Sequence, residues 1–430
     1  MTKVVAKPAC ARTRALRLLA EKHSNSELVT PCRLLLVLIV SSIMIAGISF
    51  SVVPEDFKEG SWNEVINLSQ YSYTFNHEMA MKEREYNLEY YERPQHNWKV
   101  ERRSGLSVDE FFDTYDAKWP VILTDVVTKW PAMNWTKEVF IKKYGKERVV
   151  MKAVVGGLQH ATGHALPLEV FIDHLNEASF DTWTYLEDEL FIVMRPELKK
   201  DIGQNEYTEE NFFNLFPEVI RPWDCMMLWG TANSRSTLHM DPYNWTGISA
   251  VLQGHKKWKL VPPGQDHLLY VDPGVRCGFP LECRKYNSPI DAFDVDTKKY
   301  PRFKRLRFLE VDLYPGEMLV IPTGWYHQAF NVEQTLALSL QMMNRNNYLV
   351  VLEEIIKGGS LKRKKLPAYF STLLPPDQVK MFMSLLPKKV LRHGEEVTKE
   401  VLDQIKKTKD KQERVKSGLE NSEENMSIYV

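Results

Sequence analysis

The sequence predicts a mainly β fold with flanking helices, preceded by one N-terminal membrane-spanning helix, and three features carry that expectation. Between about Tyr185 and Met343 the chain breaks into short β-type runs separated by Pro and Gly: CMMLWG, TGISAVLQG, KKWKLVPPG, EMLVIPTGW and TLALSLQMM. That spacing suits a sandwich or barrel. Helix-start signals lie on both sides of this region, and Leu34 to Val53 runs for twenty residues without a charge. With 44% hydrophobic and 11% aromatic residues the 430-residue chain can bury a large core, which excludes global disorder. Its 56 basic and 56 acidic residues cancel. The overall basic field that nucleic-acid phosphates attract is therefore absent, and no nucleic-acid partner is expected.

At about 1.5 Å per residue the uncharged run spans roughly 30 Å, the thickness of a bilayer core. A buried globular helix is the plain alternative, and a cleaved signal peptide ending near Ala46 and Gly47 is another. The leader of residues 1–33 carries Lys3, Lys7, Arg12, Arg14, Arg17, Lys22 and Arg33 against Glu21 and Glu27, whereas Glu55, Asp56 and Glu59 with Lys58 follow the span. The positive-inside rule then keeps the leader cytoplasmic. The expectation is a single-pass type II protein of the endoplasmic reticulum or another secretory-pathway membrane, anchored by residues 34–53, with its large domain luminal.

Residues 54–100, rich in Tyr, Asn and Glu, read as a stem. Ser107-Val108-Asp109-Glu110 is a capping-box pattern ahead of Phe111 and Phe112. Trp119 to Leu123 reads as a buried strand, Thr136 to Tyr144 as a helix, and Pro167 as the opening of a short helix. Past the β-rich region residues 346–400 turn helical, with Asp377 expected as an N-cap after Pro375 and Pro376. Residues 401–430 read as a frayed helix or charged tail, and the C-terminal helices as a place for homodimer contact. Cys277 and Cys283 pair in an oxidising compartment or stay ordinary thiols; both readings stand.

His239-Met240-Asp241 is the first candidate for chemistry. On an extended strand residues i and i+2 share a face, so both side chains can reach one metal. His327 lies in a second strand-like segment, GEMLVIPTGWYHQAF. Two histidines and a carboxylate form the facial triad of non-haem iron and leave coordination positions open. Spacing alone equally allows three unrelated residues, and a similar triplet, His393-Gly394-Glu395, gets no role. In Gly254-His255-Lys256-Lys257-Trp258-Lys259-Leu260, alternation puts Lys256 on one face with Trp258 and Leu260, opposite Lys257 and Lys259. One lysine is thus turned inward, where its ammonium needs an anion such as a ligand carboxylate, unless it snorkels from the strand end. In the run from Thr335 to Gln341, leucines take one face. Thr335, Ala337, Ser339 and Gln341 take the other, which suits a polar pocket or a solvent-facing sheet.

The segments STLHMDPYNWTGISAVLQGHKKWKLVPPG and EMLVIPTGWYHQAFNVEQTLALS resemble those of Jumonji-C (cupin-like) 2-oxoglutarate oxygenases, nearest the lysyl-hydroxylase branch once called phosphatidylserine-receptor proteins. The upstream WPVILTDVVTKWPAMNW adds to a resemblance covering roughly residues 101–345. It implies a double-stranded β-helix (jelly-roll) core holding Fe(II) through His239, Asp241 and His327. It implies that Lys256 pairs with the distal carboxylate of 2-oxoglutarate, that O2 is consumed, and that a protein or peptide side chain is hydroxylated as succinate and carbon dioxide form. Ser339 stands where the branch often has threonine. Tyr185 resembles the tyrosine that related asparaginyl hydroxylases place on the same carboxylate, and Ser236 matches a hydroxyl at the pocket wall.

Two rivals differ in class. A non-catalytic cupin would bind a partner with the same fold. A secretory-pathway glycosyltransferase would share the type II layout and use Asp294-Val295-Asp296 for a metal-nucleotide. Glycosylation sequons stand at Asn67, Asn134, Asn244 and Asn425. Asn244 is too near Asp241 to carry a glycan without crowding the pocket, so Asn67 and Asn134 are the expected acceptors.

Overall fold

The computed structural model describes residues 98–271 and 281–416. The expected membrane span, most of the stem, Cys277, Asn67 and Asn425 lie outside them. Among the described residues no helix is long and apolar enough to cross a membrane.

Fourteen strands are described. They are β1 (Glu101–Arg103), β2 (Val121–Leu123), β3 (Arg148–Val155), β4 (Thr162–Pro167), β5 (Thr182–Asp188), β6 (Cys225–Gly230) and β7 (His239–Met240). The rest are β8 (Thr246–Gln253), β9 (Lys256–Val261), β10 (Tyr286–Asn287), β11 (Leu309–Leu313), β12 (Met318–Ile321), β13 (Tyr326–Asn331) and β14 (Thr335–Met342). They form a nine-stranded sheet in the order β1-β2-β12-β8-β14-β6-β5-β3-β4 and a five-stranded sheet in the order β10-β7-β13-β9-β11. Every pairing is antiparallel except β1 with β2.

The two sheets share one core. Leu228, Val251 and Ala337 of the larger sheet, on the face that also carries Ser249 and Ser339, belong to the same buried cluster as Trp258, Leu260, Leu309 and Leu313 of the smaller one. Each Leu, Ile or Phe taken fully out of water contributes roughly 1.5–3 kcal/mol, so this inter-sheet layer fixes how the sheets stack. Alternation sets which residues enter it: in β9 Lys256, Trp258 and Leu260 are buried while Lys257 and Lys259 are half-buried. The chain crosses from β8 in one sheet to β9 in the other at Gly254, whose φ is +86° and whose Cβ, if present, would stand 2.2 Å from the Gln334 carbonyl. Only glycine satisfies both conditions.

The helical signals hold with local differences. Ser107 caps the turn that follows by accepting the Glu110 amide at 3.1 Å. Thr136 caps Lys137–Tyr144 through the Val139 amide, and Pro167 precedes Leu168–Asp173. Strands β3 and β4 went unforeseen; RVVMKAVV is rich in valine, but Arg148 and Lys152 are charged and Val155 is exposed. Asp377 is not the cap of Pro375–Ser384: Leu374 holds that position and the two prolines fill the first turn, where a missing N–H leaves no bond unmade. The described part of the charged stretch expected over residues 401–430 is the second half of a continuous helix, Lys388–Lys416, tied down because Val401 and Ile405 bury against Val193 and the side chains of Leu190, Met194 and Trp223. A separate core, with Phe212, Phe216, Leu352, Phe370 and Phe382, joins Tyr348–Lys357 and Pro375–Ser384 to the domain.

Candidate metal centre and carboxylate pocket

Strands β7 and β13 are neighbours in register, with His239 opposite His327. Asp241 directly follows β7 in extended backbone and begins the turn Pro242–Asn244. Its carboxylate lies 3.6 Å from Nε2 of His239 and 3.6 Å from Nε2 of His327. One potential ligand atom from each of the three residues falls within 4.8 Å of the others, the sole such cluster of three among the described residues.

The backbone orients both imidazoles. Nδ1 of His239 faces the Thr237 carbonyl at 2.8 Å, and Nδ1 of His327 faces the Trp325 carbonyl at 3.3 Å. A carbonyl partner requires the proton on Nδ1, so both Nε2 lone pairs are turned inward, the arrangement metal-binding histidines adopt. Burial pushes the His327 imidazole down to about 4, against the pull of Asp241, so it is neutral and ready to ligate. Burial alone would lower His239 as well, but the hydrogen bond and charge of Asp241 outweigh it and the net shift is upward. Burial likewise opposes ionisation of Asp241, yet the two histidines and a Trp245 hydrogen bond bring its carboxyl below the usual range. Gly247 on β8 makes room for this carboxylate: a Cβ there would sit 2.2 Å from Asp241 Oδ2.

The triad opens into a cavity of about 380 Å³ that Lys256, Tyr185, Ser339 and Ser236 also line. Lys256 is fully buried. Its ammonium donates to the Tyr185 hydroxyl at 2.8 Å and stands 5.4 and 5.5 Å from the ring centres of Tyr185 and Trp258. No ion pair reaches it among the described residues, and burial pushes it down to about 7, Glu187 pulling weakly the other way. Two more donors nearby have no partner, Ser249 Oγ and Trp258 Nε1, and both residues line the same cavity. An unneutralised ammonium beside unfilled donors fits a carboxylate ligand. Ser236 lines the cavity, its Oγ accepting the Ala329 amide at 3.0 Å. Ser339 sits opposite Ser249 across β14 and β8.

All seven expected site residues thus converge on one cavity. Reasoning from the sequence missed Ser249, Trp258 and Gly247 as parts of it; Ser249 and Gly247 share the alternating face of TGISAVLQ, which was the available signal. It also gave His393 no part, although His393 lines the same cavity. Asp294 and Asp296 lie on an exposed loop, where Asp296 accepts the amides of Lys298 and Lys299 and so serves its own turn.

A β-sandwich whose sheets enclose two histidines, a carboxylate and a buried lysine defines a cupin-type metal-binding domain. The chain belongs to the cupin-like domain family, whose pattern matches residues 108–345, more than half of its length. It is 27% identical to Lysine-specific demethylase JMJ21 of Arabidopsis thaliana over 61% of this chain and 27% of that protein. It is 25% identical to Bifunctional arginine demethylase and lysyl-hydroxylase psr-1 of Caenorhabditis elegans, over 59% of this chain and 63% of the relative. HSPB1-associated protein 1 of Bos taurus is 26% identical over 55% and 51%. The chain therefore spans less than two thirds of each of these relatives.

Proposed function

We propose that the protein is an Fe(II)- and 2-oxoglutarate-dependent dioxygenase that hydroxylates a side chain of a protein substrate. One observation carries the reading: the triad shares a cavity with a buried lysine that lacks a counter-charge. His239, Asp241 and His327 would hold the iron, and Lys256 with Tyr185 would take the distal carboxylate, with Ser249, Trp258 and Ser339 as nearby polar contacts. Iron with 2-oxoglutarate supplies O2 activation coupled to oxidative decarboxylation.

The chain's own groups orient and exclude. The Thr237 and Trp325 carbonyls hold the imidazole tautomers, and the apolar layer around Trp258 and Ala329 keeps the inner cavity dry. Lys256 fixes a bound dicarboxylate at one end, so its other end is directed to the metal ligands. Names of relatives that include both demethylase and lysyl-hydroxylase support action on protein side chains. Hydroxylation is the version proposed here, on the lysyl-hydroxylase resemblance and the membrane context.

The proposal includes a type II anchor at residues 34–53 and a luminal domain. The charge difference across that span supports it, as does the disulfide-bonded state of Cys283, a bond that persists in oxidising compartments. Self-association through the C-terminal helices is the remaining part, supported by the exposure of Tyr369 and Leu374 beside them; sedimentation in detergent tests it. The central experiment is anaerobic titration of the full chain with Fe(II) and 2-oxoglutarate, followed by succinate release with candidate peptides. Binding of both in the wild type and loss of iron in Asp241→Ala is the expected result. Wild-type protein that binds neither sinks the reading and favours a non-catalytic cupin.

A further inference from the structure

From Lys298 to Arg307 the chain reads KKYPRFKRLR, six cations and no acid in ten positions. Lys298, Lys299, Arg302, Lys304, Arg305 and Arg307 are all exposed. Among the described residues none of the six has an ion-pair partner. The acids close by are engaged elsewhere. Asp266 accepts the Tyr326 hydroxyl at 2.7 Å, Glu310 pairs with Lys259 at 3.0 Å, and Asp296 accepts the backbone amides of Lys298 and Lys299. Six like charges this close repel one another, so an anionic cover stabilises the surface. The turn Pro301–Arg305 is anchored beneath them, because Phe303 and Leu306 bury in one cluster with Leu238 and Tyr326. By alternation Leu238 and Tyr326 point away from their neighbours His239 and His327, which puts the cations over the outer face of the five-stranded sheet.

The chain enters the described domain at the edge of this surface. Trp98 packs edge-on against Trp119, ring centres 6.0 Å apart, and the Arg307 guanidinium lies 3.9 Å from the centre of the Trp98 ring. Just upstream, residues 83–92 read EREYNLEYYE, with Glu83, Glu85, Glu89 and Glu92 against Arg84 and three tyrosines between the acids. Trp98 is the sixth residue after Glu92, a reach of at most about 20 Å. We propose that this acidic segment of the stem docks on the basic surface from Lys298 to Arg307. The tether keeps its local concentration high. Its carboxylates neutralise the cations, and its tyrosine rings offer faces for guanidinium groups, as Tyr270 already does for Arg302 at 4.0 Å. A docked stem runs over the sheet face turned away from the metal ligands and holds the domain at a fixed attitude to the proposed anchor. This inference is independent of the oxygenase reading.

The test is zero-length carbodiimide coupling of carboxylates to lysines in the full chain, in neutral detergent at low salt, with cross-linked peptides from the monomer band read by mass spectrometry. Glu83 or Glu92 is expected to couple to Lys298, Lys299 or Lys304 about fivefold or more above the exposed Lys362, Lys364 and Lys365, an excess that tethering alone does not give. Salt at about 0.5 M should remove the excess by screening exposed charges. Arg302→Glu combined with Arg305→Glu should remove it as well, and adding Glu85→Lys with Glu89→Lys should restore it. The salt arm uses unaltered protein and so stands if the variants lose their melting transition. Equal coupling of the two lysine sets overturns the docking. Coupling confined to a dimer band gives the surface to a second copy, and loss of wild-type coupling when phosphatidylserine is added to the micelles gives it to an acidic membrane. Either result overturns the intramolecular assignment.

Discussion

The carboxylate of Asp241 lies against the backbone of Gly247, where any side chain would press on Oδ2. One strand thus shapes the metal-ligand set without contributing a ligand. Gly247→Ala is expected to leave the fold intact and weaken Mn(II) or Fe(II) binding about 10–100-fold, the usual effect of disturbing a ligand's support. Isothermal titration with Mn(II), alongside a thermal melt, checks both halves. Unchanged affinity would show that Asp241 holds its place without the gap.

Lys256 separates stability from function. Its ammonium is buried without a carboxylate partner, so Lys256→Met should raise the stability of the ligand-free protein by about 1–3 kcal/mol. The same change should weaken 2-oxoglutarate by about 2–5 kcal/mol in binding free energy and leave metal affinity nearly unaltered. Denaturant melts and 2-oxoglutarate titrations read the two effects separately. A destabilised variant with normal cosubstrate affinity would contradict the assignment.

The same lysine sets a pH dependence. Its folded-state value is pushed down to about 7, whereas an unfolded lysine titrates near 10.4. Between these values the unfolded chain holds the proton more tightly, so Lys256 contributes rising stability as pH increases from about 7 to about 10.4. Below pH 7 the protonated, buried ammonium costs its full penalty. With 2-oxoglutarate bound the folded value returns upward and the slope attributable to this residue should disappear. Melting temperatures with and without 2-oxoglutarate, compared between wild type and Lys256→Met, test the sign.

Topology has its own test. In sealed microsomes, protease added from outside should leave the fragment beyond residue 53 intact, and the exposed Asn134 should carry a glycan that deglycosylation removes. Asn244 should stay bare, because its side-chain oxygen accepts the Gly324 amide and the residue is half-buried. Digestion of the large domain without detergent would reverse the orientation.

Much of the site was legible because it is built on strands, where alternation translates directly into faces. His239 with Asp241, and Lys256 with Trp258, follow from period two alone. His327 needed the family resemblance, since no local pattern states which distant strand pairs with β7. The C-terminal helix shows the opposite case. The stretch from residue 401 is so rich in charge that local composition leaves a frayed helix and a tail equally open, and a few buried positions, Val401 and Ile405 among them, decide for the helix as far as Lys416 by packing on residues about two hundred positions earlier. Strand β3 was hidden similarly: Lys152 breaks its apolar run, and only the tertiary partner Glu187, 3.0 Å away, explains a lysine there.

Strand β13 is wedged between β7 and β9, and this sets an order of events during synthesis. A nascent chain that has emerged only as far as residue 325 holds His239 and Asp241 but no second imidazole, so it cannot capture iron in the full triad. The same unfinished chain leaves β9 with an open edge that can pair with the wrong strand. Translation through Asn331 closes that edge and completes the ligand set together. The helix Lys388–Lys416 leaves the ribosome later still, so the metal seat can form while the outer side of the cavity is open. A chain stopped after residue 387 would retain every proposed iron ligand while lacking the helical wall.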